Sequence, residues 1–371
     1  MPLYLTEDQV MLRDTARQLM AEEGSIAAQL RKYRDMGCKD GFGHALWKQL
    51  AELGFTGILI GEAEGGLGLG HVEAGIVLEE IGRNLTPSPF LISAVAVVEA
   101  LKGTPHAQRW FPGILAGETV AALAVDEGPK HRPEAIAMRA ERSGNGFRLS
   151  GRKQFVVQGA SADVIVVAAR TDEGLTLFAV EKGTSGLEVE GVRLADSSIG
   201  ARLDFRDVEV NADAVIGDVG GGEAVLGRVL DAGRAGAASE MVGLGSAAMG
   251  MTVDYLKQRK QFGRLIGEFQ VLQHRAAHLY SELEIARSAA LKAQQLLDEG
   301  SPEAEAMVSV AKAKAGRVST LAVQEGVQMH GGMGMTDQFD IGFFMKRARA
   351  AMETFGDVAF HGDRMARMMG Y

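Results

Sequence analysis

The apolar residues of this chain change their period twice, and that pattern restricts the available folds more than any other feature. Over about residues 6–117 they recur at helical spacing. Thr6, followed by Glu7, Asp8 and Gln9, predicts a helix start with acidic side chains in its first turn. A second helix holds Ala45, Leu46, Leu50 and Leu53 and stops at Gly54. A third covers about 72–81, with Gly82 as its stop. Pro87 and Pro89 break the chain before another apolar helix over 91–101.

From about residue 121 the period shortens. Apolar runs at 164–169 and 175–180, and the alternating run at 203–210, read as strands. Asn145 and Gly146 between two such stretches predict a hairpin, because both tolerate positive φ. From Glu223 onward the helical period returns. Leu272, Ala276, Leu279, Leu283, Ala286 and Ala290 form one apolar stripe on a long helix, a pattern suited to bundles and to oligomer interfaces. The expected fold is α+β. It has an N-terminal helical domain (1–120), a middle antiparallel β domain (121–217) and a C-terminal four-helix-bundle domain (218–371).

Composition matters at three points. Only 8 of 371 residues are proline, which suits long uninterrupted helices. The formal net charge of −9 argues against nucleic-acid binding, although a local cationic pocket can still take an anion. Cys38 is the single cysteine, so neither an internal disulfide nor a cysteine-based metal site is expected. The N-terminal residues lack the apolar region of a signal peptide, and no apolar run approaches the ~20 residues of a membrane span. The expectation is a cytoplasmic protein that does not engage membranes.

Three glycine-rich or basic segments invite a functional reading. The first, 65–70 (GGLGLG), lies between helices rather than in a βαβ unit, so it reads as a connection and not as a dinucleotide loop. The second is Arg259-Lys-Gln-Phe-Gly263, followed by Phe269 and Gln270. It offers a guanidinium fork suited to phosphate, an aromatic face, and an amide able to bond a purine edge, with an ordinary αα-hairpin as the plain alternative. The third, Gln328-Met-His-Gly-Gly332, follows a long helix. Its glycines let a backbone approach a diphosphate, while His330 has no second ligand at metal-binding spacing and reads as a hydrogen-bonded helix-end histidine.

These last two segments, in this order and separation, resemble the R-x-Q-F-G…F-Q and Q-x-x-G-G-x-G stretches of the acyl-CoA dehydrogenase family. Residues 46–70 and 78–83 (LEEIGR) resemble that family's N-terminal segment, and the likeness covers nearly the whole chain. The resemblance implies an oxidoreductase of fatty acid metabolism: a flavoprotein that holds FAD between subunits of a dimer or tetramer. Such an enzyme performs α,β-dehydrogenation of an acyl-CoA and passes electrons to an electron-transfer flavoprotein or similar acceptor. By the same resemblance Arg259 meets the FAD diphosphate, Phe262 and Gln270 lie near the adenine, and Gln328, Gly331 and Gly332 reach the dinucleotide of a neighbouring subunit. Asp231 and Arg234 match positions that meet substrate and order the site. Phe155 and Val157 replace the tryptophan and threonine of a strand that lies over the flavin.

The family reaction needs a carboxylate to take the α-proton while the β-hydride leaves. Of the family's two positions for that glutamate, one falls here on Gly356 and the other on Gly233. Glu240, Glu353 and Asp357 are the nearby carboxylates that remain as candidates, each with a capping or structural role as the plain alternative. The loop that in the family reads T-E-x-x-x-G-S-D is here 125–133 (VDEGPKHRP). Three readings follow: a dehydrogenase with a relocated base; a non-catalytic subunit of a heteromeric acyl-CoA dehydrogenase that completes its partner's FAD site; or a flavoprotein of the same fold with different chemistry, such as an oxidase or a hydroxylase, which nothing in the sequence favours.

Overall fold

The computed structural model describes residues 3–371. Six α-helices come first: α1 (Glu7–Glu22), α2 (Lys32–Asp35), α3 (His44–Glu52), α4 (His71–Arg83), α5 (Val97–Leu101) and α6 (Pro105–Leu115), with π-helical turns at Ala27–Arg31 leading into α2 and at Phe90–Ala96 leading into α5. Eight strands follow: β1 (Ala121–Ala124), β2 (Arg139–Ser143), β3 (Gly146–Val157), β4 (Val164–Thr171), β5 (Gly174–Glu181), β6 (Leu187–Arg193), β7 (Ile199–Asn211) and β8 (Val215–Ile216). The chain then forms α7 (Gly222–Gln258), the short strands β9 (Lys260–Gln261) and β10 (Arg264–Leu265), α8 (Gln270–Asp298), α9 (Ala304–His330), α10 (Ile341–Glu353) and α11 (Val358–Met368). The helical, β and helical order is the expected α+β fold. Two compact units emerge, and the N-terminal helical segment is divided between them. One takes the chain up to Arg31, His71–Thr86 and Arg234–Tyr371; the other takes Lys32–Gly70 and Pro87–Gly233.

In the first unit, α1 opens with Thr6 Oγ1 accepting from Gln9 N while Gln9 Oε1 accepts from Thr6 N. The stripe on α8 packs against α9 and α7 through Leu279, Leu283, Ala286 and Ala290. Its first two residues, Leu272 and Ala276, are only half-buried, so the expected stripe is fully covered only in its later turns. Gly82 does not stop α4, which runs one residue further. A Cβ there would collide with the Glu240 carbonyl on α7, and a Cβ on Gly243 of α7 would collide with the Glu79 carbonyl on α4. These reciprocal glycines let the two backbones meet.

In the second unit, the sheet order is β6-β7-β3-β2-β4-β5-β8, with β1 added beside β4. It is antiparallel except that β1 and β2 run parallel to β4. Inward residues such as Phe147, Val167, Phe178, Leu203 and Phe205 form its core. The predicted hairpin exists but is displaced by one residue. Ser143 pairs with Gly146, so the turn residues are Gly144 and Asn145, and only Gly144 has positive φ (+55°). That is the pattern of a type II′ turn, which asks for glycine at its first central position only. Gly146 is strand, with Val210 O where a Cβ would lie.

Candidate functional site

Helix α7 ends at Gln258, and the basic segment after it is a β-ribbon rather than the αα-hairpin that was the plain alternative in sequence. Gln261 pairs with Arg264, leaving Phe262 (φ +53°) and Gly263 (φ +79°) as a two-residue turn of type I′ character. The turn lifts Phe262 into solvent, 91% exposed. Its ring meets Phe269 edge-on at 6.3 Å, and the Arg264 guanidinium lies over the other ring at 4.1 Å.

Aromatic stacking joins this ribbon to the glycine-rich segment. Tyr255, one turn before Arg259, stacks on His330 with centroids 4.5 Å apart, and Phe339 closes edge-on against both rings. The ends of α7 and α9 therefore meet, which brings Arg259, Phe262 and Gln270 to the same end of the helices as Gln328, Gly331 and Gly332. His330 Nδ1 donates to the Gly326 carbonyl at 2.7 Å, and burial keeps its pKa below the usual histidine value despite that bond. Gly331 takes φ +62°, and the space where side chains of Gly331 and Gly332 would sit is open. The side chains of Arg259, Gln270 and Gln328 are exposed, and among the described residues none has a hydrogen-bond partner. One cation, two amides, an exposed ring and an accessible glycine backbone can together receive an anionic ligand that carries an aromatic group.

A second cluster of the same unit surrounds Gly356. This residue lies beyond the end of α10, not within a continuing helix, and follows Phe355 (φ +59°) with φ +106° of its own. A Cβ on it would collide with the Phe360 ring. The candidate carboxylates are engaged elsewhere. Asp357 caps α11, accepting from Phe360 N at 2.8 Å. Glu353, the last residue of α10, pairs with Arg349 at 3.0 Å. Glu240, 4% exposed, accepts from Arg347 Nε at 2.8 Å and also from its Nη2. Arg234 is buried, donates from Nε to the Phe355 carbonyl at 3.3 Å and lies over the Phe360 ring at 5.4 Å.

Lys312 on α9 was not anticipated. Its ammonium is buried and donates to the Met352 carbonyl (3.0 Å) and the Gly356 carbonyl (2.9 Å). A signal for it existed: Lys312 falls on the same helical face as Val308, Ala315 and Ser319, all buried. Arg347 was not anticipated either, because its pairing with Glu240 joins residues 107 apart.

In the other unit the 125–133 loop is held by its own charges. Lys153 on β3, fully buried, donates to Glu127 Oε1 (2.8 Å) and the Val125 carbonyl (3.0 Å). Burial lowers the Lys153 pKa, with Glu127 opposing. Burial pushes Glu127 up, but Lys153 and the N–H groups of Ala137 and Met138 outweigh it and hold the carboxyl below its usual range. Asp126 receives His131 Nδ1 at 2.9 Å. Further along β3 the pairing with β7 slips between Lys153 and Val156, where Phe155 takes φ +53° and is left exposed; Val157 is half-buried opposite Gly200. Asp231 is buried on α7.

Comparison with known proteins agrees along the chain. Sequence models of the acyl-CoA dehydrogenase N-terminal, middle and C-terminal domains match residues 6–118, 126–208 and 220–370. The mitochondrial isovaleryl-CoA dehydrogenase of Pongo abelii is 31% identical over 369 residues, covering 93% of this chain and 84% of that protein. The cyclohex-1-ene-1-carbonyl-CoA dehydrogenase of Geobacter metallireducens is 31% identical, covering 93% of each. Among solved structures, a variant of the Tcur3481–Tcur3483 steroid ACAD superposes with a TM-score of 0.90 at 28% identity over 98% of each chain. On fold, motif and relatives together, the chain belongs to the acyl-CoA dehydrogenase family.

Proposed function

We propose that this chain serves FAD-dependent α,β-dehydrogenation of an acyl-CoA thioester as the subunit that clasps the dinucleotide, and that a partner chain supplies the base. FAD is the cofactor of the family. The residues at the ends of α7 and α9 fit it, since donors without a partner among the described residues, an exposed ring and uncrowded glycines stand together there. When bound, FAD supplies the acceptor for the substrate's β-hydrogen. Arg259 would hold its diphosphate, Phe262 and Gln270 its adenine end, and Gln328 with the Gly331 and Gly332 backbone the dinucleotide of a neighbouring chain.

The observation that carries the subunit reading is Gly356. It sits in a left-handed conformation with the Phe360 ring where its side chain would start, and Glu240, Glu353 and Asp357 are each engaged by another group. A carboxylate held by an arginine or by a backbone N–H is poorly placed to abstract a proton. Arg234 serves in this reading to order the 355–357 segment, and Asp231 remains the substrate-side candidate. The Tcur3481–Tcur3483 relative, named for two proteins, is consistent with a paired assembly. Electrons would leave to a separate flavoprotein. The names of the relatives span isovaleryl, cyclohexenecarbonyl and steroid groups, so they single out no one acyl group.

The test compares the chain purified alone with the chain co-expressed with an acyl-CoA dehydrogenase chain that carries glutamate where this one has Gly356. Alone, it should reduce no electron acceptor when given branched, ring-bearing or straight acyl-CoA thioesters. Co-purified with the partner it should be yellow and active. Turnover by the chain alone would instead establish a self-sufficient dehydrogenase, with Glu240 the first residue to substitute.

A further inference from the structure

Three backbone carbonyls within five residues are held by two buried cations. Lys312 Nζ takes those of Met352 and Gly356, and Arg234 Nε takes that of Phe355. Two of the three anchored residues, Phe355 and Gly356, are consecutive and left-handed. An aromatic residue seldom adopts such a φ, and it persists only where the surroundings enforce it. The same segment ends in Asp357, which caps α11 and so sets the position of Phe360.

We infer that Lys312 and Arg234 are positioning residues that fix the course of residues 352–357, and with it the Phe360 ring in the space a base would need. The inference relies on the reading above only for what position 356 means in relatives. Its geometry stands within this unit alone.

The charge on Lys312 gives this clamp a property that simple packing lacks. Lys312 is 1% exposed, and among the described residues only carbonyl oxygens receive its hydrogen bonds. Burial, reinforced by the Arg234 charge, lowers its pKa to about 7, against the pull of Asp357, Glu353 and Glu240. Around it α7 presents Arg234 and Glu240, the latter paired with Arg347 of α10. Glu353 of α10 pairs with Arg349, while α11 brings Asp357, His361 and Arg364, the last bonded to Ser309 and Glu305 of α9. On α8 the ion pair toward α9 is Glu282 with Lys314 rather than Lys312. Opening the segment returns Lys312 to water and to its ordinary pKa, so opening takes up a proton. The closed form is therefore weakest below about pH 7 and gains as pH rises from there toward the usual lysine range.

Hydrogen exchange on the full-length chain tests this without reference to catalysis. Protection factors of the amides at 356–361 should be about tenfold or more higher at pH 9 than at pH 6. In Lys312→Met that dependence should vanish, while sheet amides around β3 and β7 keep their protection. An identical pH dependence in both proteins would overturn the proposal. If Lys312→Met does not fold, the unsubstituted chain decides: flat protection at 356–361 across that range would equally overturn it. Turnover by the chain alone would remove the subunit reading and leave this result standing.

Discussion

Gly356 and Arg259 mark the two ends of what individual residues decide here. Placing a carboxylate by Gly356→Glu asks a side chain to adopt φ +106° and to displace Phe360. The substitution should cost about 1–3 kcal/mol in urea unfolding and yield no dehydrogenase activity. Arg259 is the opposite case. It is exposed and, among the described residues, without a side-chain hydrogen-bond partner, so Arg259→Ala should leave the melting temperature unchanged. It should weaken FAD binding about ten- to a hundredfold in a flavin titration, the range expected for losing hydrogen bonds to a charged group. Arg259 can be named as a candidate from sequence because a motif and a ligand's charge point to it. Lys312 carries only a weaker signal, its place on the apolar face of α9, because the carbonyls that receive the ammonium lie 40 and 44 residues away and meet it only in the fold.

Elements show the same division. Helices and strands were legible where burial leaves an apolar pattern: as a period on α1, with its Thr6 cap, and on the later turns of the α8 stripe, and as continuous runs on β4 and β5, which are buried on both faces. Glycines were less legible, since one residue type serves unlike ends. Gly54 leaves α3 in a left-handed conformation (φ +78°), as a stop should. Gly82 looks the same in sequence yet lies inside α4, because a second backbone presses on it. Phe262-Gly263 fits an αα-hairpin in sequence and is the tip of a ribbon in the fold. The α4–α7 crossing can be tested directly. Gly243→Ala puts a methyl group into the Glu79 carbonyl, so the helices must separate. A loss of about 1–3 kcal/mol in thermal or urea unfolding is expected, whereas Gly250→Ala, with open space on the same helix, should be neutral or slightly stabilising.

Charge and assembly act together in this protein. The chain carries a net −9, which repels a dinucleotide at long range, yet Arg259, Lys260 and Arg264 put three exposed cations within six residues of the clasp. Local charge must win over global charge for FAD to bind, and exposed charges are screened by salt. A clasp this open cannot exclude water by itself: its ring stands in solvent and its glycines face empty space. A second chain covering that end would strengthen every one of these contacts by lowering the local dielectric. Flavin retention should therefore follow assembly. In a dilution series of the co-purified complex, release of free flavin, read by its fluorescence, should coincide with the fall in mass read by light scattering. Raising the salt concentration should move both transitions to higher protein concentration together. Separated chains that keep their flavin at concentrations where the assembly has dissociated would show that one chain is clasp enough, and the dependence on a neighbour would have to be abandoned.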